Sequence, residues 1–262
     1  MKIVIKDKTK FDAFANVFRN LPLFMDLINI NVNEFGIYLQ GMDNSQVCLF
    51  ELKLKKEWFT EFIVEKNCVL GIHCLTFFKV IQCLEDNNQS MTLEYNDGDF
   101  LKVSLESDEK TINKYFDLPL IDLDTETLVI PDTDYQVDME ISSNNITNYI
   151  NQLMIFDETF TIKCNQENII MKSKSESGSL SIEMTDENIL LYMIEEDSEI
   201  EQTYSLKYVK SMCAFSKITQ SIVINLKEET PMRIHLSLDD VDTFENSENY
   251  LRLYLAPKMD DD

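Results

Sequence analysis

The chain has 262 residues, with 47 acidic against 23 basic side chains, a formal net charge of -24 and 44% hydrophobic residues. This apolar content can fill a core, which excludes a disordered acidic tail, and the length predicts two domains because single cores stop growing near roughly 250 to 300 residues. The acidity argues against nucleic-acid binding over most of the surface, since Lys and Arg supply phosphate contacts. Any such binding therefore depends on where the few cations lie.

The sequence lacks the segments that are typical of secreted proteins and of proteins with membrane-spanning helices. The first seven residues include three charged side chains, Lys2, Lys6 and Asp7, and so lack the apolar core of a signal peptide. The longest uncharged apolar-leaning stretch, residues 68–78, is shorter than the roughly 18 to 20 residues of a membrane helix. We therefore expect an intracellular protein that does not enter a membrane.

Catalytic and cofactor motifs are also missing. The five glycines lack the spacing of a phosphate-binding loop, and the six cysteines form no CxxC pair, so buried thiols are expected rather than disulfides or zinc ligands. His73 and His235 have no nucleophile or metal partner at a recognisable spacing. We expect structural histidines, no cofactor, no metal and no enzymatic activity.

A unit of one strand, one helix and three strands occurs four times in succession. Alternating apolar residues around a polar turn predict four hairpins, at 27–40, 90–105, 159–174 and 221–236. Helical periodicity precedes each hairpin, at 10–21, 74–84, 144–156 and 205–218. Strand-like runs precede these helices at 2–6, 68–73, 135–141 and 200–204, and further strands follow the hairpins at 47–54, 116–120, 180–184 and 250–255.

This repeat predicts an α+β fold of two similar domains, with two units in each. The segment 118–135 carries two of the five prolines and a run of acids, which is typical of a connector. We accordingly predict an N-terminal domain at 1–118, a connector at 119–134 and a C-terminal domain at 135–262.

Cations are concentrated in the predicted helices. The four windows contain one acid, Asp12, against six bases, which are Lys10, Arg19, Lys79, Lys207, Lys210 and Lys217. On the fourth helix, Lys207, Lys210 and Lys217 fall within about 100° of one another. A basic face on a single helix is most simply an ordinary solvated surface. The scarcity of acidic residues in all four helices, however, favours a polyanionic neighbour that they share. Duplex DNA contacted through its phosphates, without base readout, is the expected partner.

A closed ring would let all these helices contact one duplex. Domains joined head to tail, with their helices inside, would form a continuous outer wall of sheets with paired edges. Three chains supply twelve helices, and at roughly 10 Å each these line a bore of about 28 Å, which admits duplex DNA.

Three segments of the chain resemble one known family. They are 39–47 (LQGMDNSQV), 120–126 (LIDLDTE) with Ile130 and Pro131, and 254–258 (YLAPK). Their order and sequence are similar to the proliferating cell nuclear antigen family, the eukaryotic-type DNA sliding clamps. The resemblance implies a homotrimeric DNA clamp fold that encircles double-stranded DNA as a non-enzymatic processivity factor in replication and repair. It also implies peptide-bearing partners, namely DNA polymerase, clamp loader, nuclease and ligase, and a location in the nucleus or at a viral replication site.

Two further sets of residues follow from the resemblance. It implies a partner-peptide groove lined by Met42, Gln46, Val47, Leu49, Leu128, Ile130, Pro131, Tyr135, Pro231, Tyr254, Ala256 and Pro257. It implies a subunit interface at Tyr115, Phe116, Ser179, Leu180 and Ile182. For Leu49 and Tyr135, a plain core position is an equally open interpretation.

The chain departs from the family pattern at the DNA-facing helices. Asn148 and Asn151 stand where the family typically has arginines, and Ala15, Asn16 and Pro22 where lysines are common. Lys79 and Lys207 match basic positions, whereas Lys210 is additional. We therefore expect weak, salt-sensitive DNA contact. Gln166 replaces the ubiquitin-accepting lysine, and residues 239–249 form a longer acidic insertion.

Two other functions remain open at this point. A magnesium-dependent nuclease would use Asp122, Asp124 and Glu126, with Asp132 and Asp134, as metal ligands. Their spacing superficially resembles an EF-hand, but Thr127 occupies the glycine position and Thr133 the final glutamate position. An acidic DNA mimic would instead occupy DNA-binding proteins and form no ring.

Overall fold

The computed structural model describes residues 1–84, 89–107, 112–124, 126–185, 189–239 and 247–258, and these form two compact units. Unit 1 comprises Met1–Asn44, Phe50–Leu128 and Ser247–Tyr250, and unit 2 comprises Ser45–Leu49, Val129–Asn246 and Leu251–Asp262. The division at Leu128 falls inside the predicted connector. None of the helices in the described ranges is long and apolar enough to span a membrane.

The described residues of unit 1 form two α-helices and strands of two sheets. Its elements in chain order are β1 (Lys2–Ile5), α1 (Lys8–Asn20), β2 (Leu27–Asn33), β3 (Gly36–Met42), β4 (Cys48–Lys55), β5 (Glu61–Ile63), β6 (Cys68–His73), α2 (Cys74–Ile81), β7 (Gln89–Glu94), β8 (Phe100–Ser107) and β9 (Lys114–Pro119). One sheet has the order β5-β1-β7-β8-β9, and β4, β3, β2 and β6 lie side by side in the other.

Unit 2 repeats this plan. Its elements are β10 (Val137–Ser142), α3 (Ser143–Leu153), β11 (Thr159–Cys164), β12 (Ile169–Ser175), β13 (Gly178–Met184), β14 (Leu191–Ile194), β15 (Ile200–Ser205), α4 (Leu206–Cys213), β16 (Ser221–Leu226), β17 (Met232–Ser237) and β18 (Tyr250–Leu255). Strands β14, β10, β16, β17 and β18 are successive neighbours, and the second sheet has the order β13-β12-β11-β15.

The four predicted hairpins are confirmed, and the two repeats of each unit exchange a strand. The first strand of one repeat pairs with the hairpin of the other, so β1 pairs with β7 and β6 pairs with β2. In unit 2, β10 pairs with β16 and β15 pairs with β11 in the same way. Each repeat therefore contributes its first strand to a sheet that contains the hairpin of the other repeat.

The structure adds two short strands to the sequence expectation and moves several helix ends, of which helices α1 and α4 give the clearest cases. Strands β5 and β14 were not predicted. Helix α1 begins two residues early because the Asp7 carboxylate accepts a hydrogen bond from the Lys10 amide at 2.9 Å and caps the helix. Helix α4 ends at Cys213 and continues as a 3₁₀ turn, Ala214–Lys217, so the α-helical spacing assumed for Lys217 does not hold.

Each helix pair packs by one face, leaving the opposite face exposed. In unit 1, the Phe18 ring lies 4.8 Å from Phe14 on α1 and 4.6 Å from Phe77 on α2, between ring centroids. In unit 2, α3 buries Ile146 and Ile150, and α4 buries its own apolar face against the core. Burial of such side chains, worth about 1.5 to 3 kcal/mol each, fixes which helix faces meet solvent.

The cysteines and His235 lie where structural roles predict, whereas His73 is exposed at the end of β6. Cys48, Cys74, Cys164 and Cys213 are buried, Cys68 and Cys83 are half-buried, and none forms a disulfide. His235 is buried, and its Nδ1 accepts a hydrogen bond from Arg252 Nε at 3.0 Å. Burial, together with Arg252 and Arg233, lowers the pKa of His235 to about 3. This imidazole is therefore neutral at physiological pH.

Candidate functional site

The basic residues predicted on unit 1 fall into two groups. Arg19, in the last turn of α1, and Lys79 on α2 are exposed, and the Arg19 guanidinium lies 5.5 Å from the centre of the Phe78 ring. This contact ties the α1 cation to the neighbouring helix. Lys10 differs, because it is half-buried and its ammonium donates to the Trp58 carbonyl at 2.8 Å.

The basic residues of unit 2 lie on one helix and the turn that follows it. Lys207 and Lys210 are exposed on α4, on the side opposite the buried Val209 and Met212. Lys217 is exposed on the 3₁₀ turn. The sequence prediction that α4 presents one apolar and one basic face is confirmed for the two α-helical lysines.

Helix α3 presents a neutral polar face beside α4. The exposed side chains Asn144, Asn145, Asn148, Asn151 and Gln152 carry no charge. The hydroxyls of Thr147 on α3 and Ser216 after α4 lie 3.2 Å apart, which links the two elements. Such amides can hydrogen-bond phosphate oxygens but contribute no net positive charge.

Most of the predicted groove residues lie within unit 2. The Val47 carbonyl accepts the Ala256 amide at 2.9 Å, so the chain after β18 lies beside the start of β4. Val47, Leu49, Ile130, Tyr135, Ala256 and Pro257 are half-buried, Gln46, Pro131 and Pro231 are exposed, and Tyr254 is buried. Leu49 and Tyr135 are thus neither fully buried, as core side chains are, nor fully exposed.

A series of polar side chains holds the Tyr135 ring in place. The Arg233 guanidinium lies 4.5 Å from the centre of the Tyr135 ring and donates from Nε to Asn225 Oδ1 at 2.8 Å. The buried Asn225 amide in turn donates to the Asp138 carboxylate. Burial raises the pKa of Tyr135, although Arg233 opposes the shift, so its hydroxyl stays protonated at neutral pH. Sequence reasoning missed these contacts because Asp138, Asn225 and Arg233 lie on three different strands, β10, β16 and β17.

The other two predicted groove residues, Met42 and Leu128, lie in unit 1 and are exposed. The Gln40 side chain on β3 holds Leu128 by both of its main-chain groups. Its Nε2 donates to the Leu128 carbonyl at 3.0 Å, and its Oε1 accepts the Leu128 amide at 2.7 Å. The end of the connector is therefore fixed by one side-chain amide.

A buried carboxylate supports Gln40. Gln40 Nε2 also lies 3.0 Å from the Tyr38 hydroxyl, which donates to Glu51 Oε1 at 3.1 Å, and the Tyr250 hydroxyl reaches the same oxygen at 3.3 Å. Burial, followed by the Glu51 charge, raises the pKa of Tyr38 well above its usual value. Tyr38 thus remains a hydrogen-bond donor.

The start of the connector is anchored on β6. The Ile121 amide donates to the Gly71 carbonyl at 2.9 Å, and the Asn29 side chain donates to the Leu123 carbonyl at 3.1 Å. A Cβ at Gly71 would lie 2.0 Å from the Ile121 carbonyl oxygen. Glycine is required here because the two backbones approach too closely for any side chain.

Replacing Gln40 by Ala is expected to free the connector end at Leu128. The substitution removes an acceptor for the Leu128 amide and a donor for its carbonyl, each worth about 1 kcal/mol. Hydrogen exchange should show faster exchange at the Leu128 amide, with little change in overall stability. Gln40→Glu keeps the acceptor for the Leu128 amide and loses the donor to the Leu128 carbonyl. Its exchange rate at Leu128 should therefore fall between those of the wild type and Gln40→Ala. Unchanged exchange at Leu128 in Gln40→Ala would contradict this role.

The predicted interface residues lie on two terminal strands of their sheets. Tyr115 and Phe116 are on β9, the last strand of the β5-β1-β7-β8-β9 sheet, and Tyr115 is 67% exposed. Ser179, Leu180 and Ile182 are on β13, which begins the β13-β12-β11-β15 sheet. Both strands have unpaired backbone groups within the described part of the chain, which are templates for adding another strand.

The carboxylates of the connector do not gather into a metal site. Across the described residues, no three His, Cys, Asp or Glu side chains are placed to hold a metal ion. Asp122, Asp124, Glu126, Asp132 and Asp134 are all exposed. Nothing in this arrangement favours the nuclease interpretation. Most of the acidic insertion, residues 240–246, lies outside the described residues.

Two units, each built from two strand–helix–three-strand repeats with shared sheets and a helix pair, define the DNA-clamp fold. Comparison with known sequences gives the same result more specifically. Residues 9–127 match the family model for the proliferating cell nuclear antigen N-terminal domain, and residues 129–258 match that for its C-terminal domain. The chain therefore belongs to the proliferating cell nuclear antigen family.

Individual relatives cover nearly the whole chain. The proliferating cell nuclear antigen of Chaetomium thermophilum is 32% identical over 243 residues, which is 89% of this chain and 90% of the relative. A protein of Paramecium bursaria Chlorella virus 1, named probable DNA polymerase sliding clamp 2, is 25% identical over 96% of this chain and 90% of its own length. The crystal structure of PCNA from Thermococcus kodakaraensis superposes with a TM-score of 0.86 at 20% identity, covering 98% of this chain and 99% of that one.

Proposed function

We propose that this protein is a DNA sliding clamp that closes as a homotrimeric ring around duplex DNA and tethers DNA polymerase there. The observation that carries the proposal is charge segregation. In a chain of net charge -24, the four α-helices contain one acid, Asp12, which is paired with Lys8. Their bases are Lys8, Lys10, Arg19, Lys79, Lys207 and Lys210. A relative named as a probable DNA polymerase sliding clamp supports the same function.

DNA contact would be made through phosphates by the exposed bases of each unit. These are Arg19, Lys79, Lys207, Lys210 and Lys217, with Lys10 in a lesser role because its ammonium already binds a carbonyl. Phosphate contacts carry no base information, so this binding would be independent of DNA sequence. Sparse phosphate contacts give weak, strongly salt-dependent binding, which suits a sleeve that must slide.

Partner proteins would bind through a short peptide in the groove around Ile130 and Tyr135. Half-buried apolar side chains with a polar edge at Gln46 suit a helical turn with aromatic anchors. Clamp loader, nuclease and ligase are the further partners we propose, in the nucleus or at a viral replication site. The protein acts there as a scaffold without catalysis, organised as domains at 1–118 and 135–262 with a connector at 119–134.

Ring closure would join β9 of one subunit to β13 of the next. Each strand offers a free edge and apolar side chains, at Phe116 on β9 and at Leu180 and Ile182 on β13. Pairing them would make a continuous sheet and remove both edges. A head-to-tail contact of this kind generates a closed ring when its rotation closes.

Sedimentation velocity tests this assembly. We expect a particle of three times the 30.6 kDa chain mass at micromolar concentration. Ile182→Arg, which places a charge in the β13 contact, should give monomers with unchanged circular dichroism. Ile170→Arg makes the same change on the neighbouring strand β12 and should stay trimeric. A wild-type monomer at high concentration would contradict the ring.

A further inference from the structure

Strand β14 of unit 2 has an open edge. It pairs with β10 on one side, and no other described strand pairs with it on the other. The Glu195 amide donates to the Gln136 carbonyl at 2.8 Å, toward β10. Because successive amides of an extended strand point to opposite sides, those of Ile194 and Tyr192 face the open edge. These groups can accept an added strand.

This edge lacks the charges that usually protect one. The strand reads Leu-Tyr-Met-Ile, and Leu191 and Met193 are each 44% exposed on the same face. The equivalent edge strand in unit 1 is β5, which pairs with the first strand of its unit as β14 pairs with β10. There, however, Glu61 forms an ion pair with Lys2 at 2.9 Å. Charged residues blunt sheet edges, whereas an apolar edge is a binding surface.

An acidic cleft of about 760 Å³ adjoins the end of this strand. Its lining includes five carboxylates and one lysine, at Asp134, Asp138, Glu195, Glu228, Glu229 and Lys227. Met193 and Ile194 belong to the same cleft, so the apolar edge runs into the acidic surface. Asp138 is engaged by the Asn225 amide, but Glu195, Glu228 and Glu229 are exposed toward solvent.

We propose that the β14 edge and this cleft form a docking site for an extended basic peptide, which adds to the sheet as a strand. Alternating apolar side chains of the peptide would cover Leu191 and Met193, while Lys or Arg at one end would enter the carboxylate cleft. Main-chain hydrogen bonds give affinity in such strand addition, and the side chains give specificity. A second copy of this chain is disfavoured, because two β14 edges would bring two acidic clefts together.

A synthetic peptide tests the site directly. The probe is a fluorescein-labelled peptide with alternating valine and threonine over five positions and three arginines at one end, made in both orientations. Fluorescence anisotropy should show binding to the intact protein by one orientation. Ile194→Pro removes an amide that faces the open edge without removing a hydrogen bond to β10, and should weaken binding about tenfold. Glu195→Lys with Glu228→Lys should weaken it at least as much.

Matched controls separate docking from general attraction to an acidic protein. Glu34→Lys with Glu65→Lys makes the same charge change on unit 1 and should leave peptide affinity within about twofold. A probe with proline in place of the central valine should bind at least tenfold more weakly, since it cannot complete the strand. Equal loss of affinity in the two double variants, or equal binding of the proline probe, would overturn the proposal. So would β14-dependent dimerisation of trimers in sedimentation without peptide binding.

Discussion

Replacing Lys207 and Lys210 together by Glu is expected to reduce polymerase stimulation on a primed DNA template at least about tenfold. The two side chains are exposed on α4. Replacing both changes the charge there by four units per subunit, which removes two attractive charges and places two repulsive ones against the phosphates. The buried face of α4 is untouched, so the variant should keep its fold and its trimer mass. The measurement is primer extension with polymerase and clamp loader over a series of salt concentrations.

A charge-matched variant shows whether position or charge causes the loss. Lys172 and Lys174 are exposed on β12, and replacing both by Glu makes the same change in net charge on a sheet. This control should stimulate the polymerase nearly as well as the wild type. Equal activity of the α4 variant and the wild type would show that α4 is not part of the DNA-facing surface.

Replacing Ile130 by Ser is expected to weaken partner-peptide binding by roughly thirtyfold. Ile130 is half-buried in the predicted groove, and a bound peptide would complete its burial. Losing most of its apolar surface at the contact costs about 2 kcal/mol, which is that change in affinity. Isothermal titration calorimetry with a polymerase-derived peptide gives the value.

The adjacent residue provides the control for this substitution. Val129 is 93% exposed, so Val129→Ser changes the same connector by a similar loss of apolar surface outside the groove. Its peptide affinity should stay within about twofold of the wild type. If Val129→Ser weakens binding and Ile130→Ser does not, the peptide contacts the other side of the connector.

The repeat and its helices could be predicted from the sequence because their periodicity is local. Alternation at 159–174 and helical spacing at 205–218 identify β11, β12 and α4 to within a few residues. Strands β5 and β14 were missed because three or four residues are too few to show a period. The start of α1 could have been found, since Asp7 is a typical capping residue.

The contacts that hold the end of the connector at Leu128 could not be predicted, because they join residues far apart in the chain. Gln40 holds Leu128 across 88 positions, and Glu51 accepts from Tyr250 across 199. The position of Lys10 against Trp58 is equally non-local. The family resemblance indicates which residues would line a groove, whereas only the structure shows which side chains contact and hold them.

Retention on circular and linear DNA tests encirclement most directly. Labelled protein is loaded onto a nicked circular plasmid by the clamp loader, separated from free protein by gel filtration, and then treated with a restriction enzyme that cuts once. The account predicts that the protein stays on the intact circle and is released within minutes of cutting, because a ring slides off free ends. Equal retention on circular and linear DNA would show local binding and contradict the clamp.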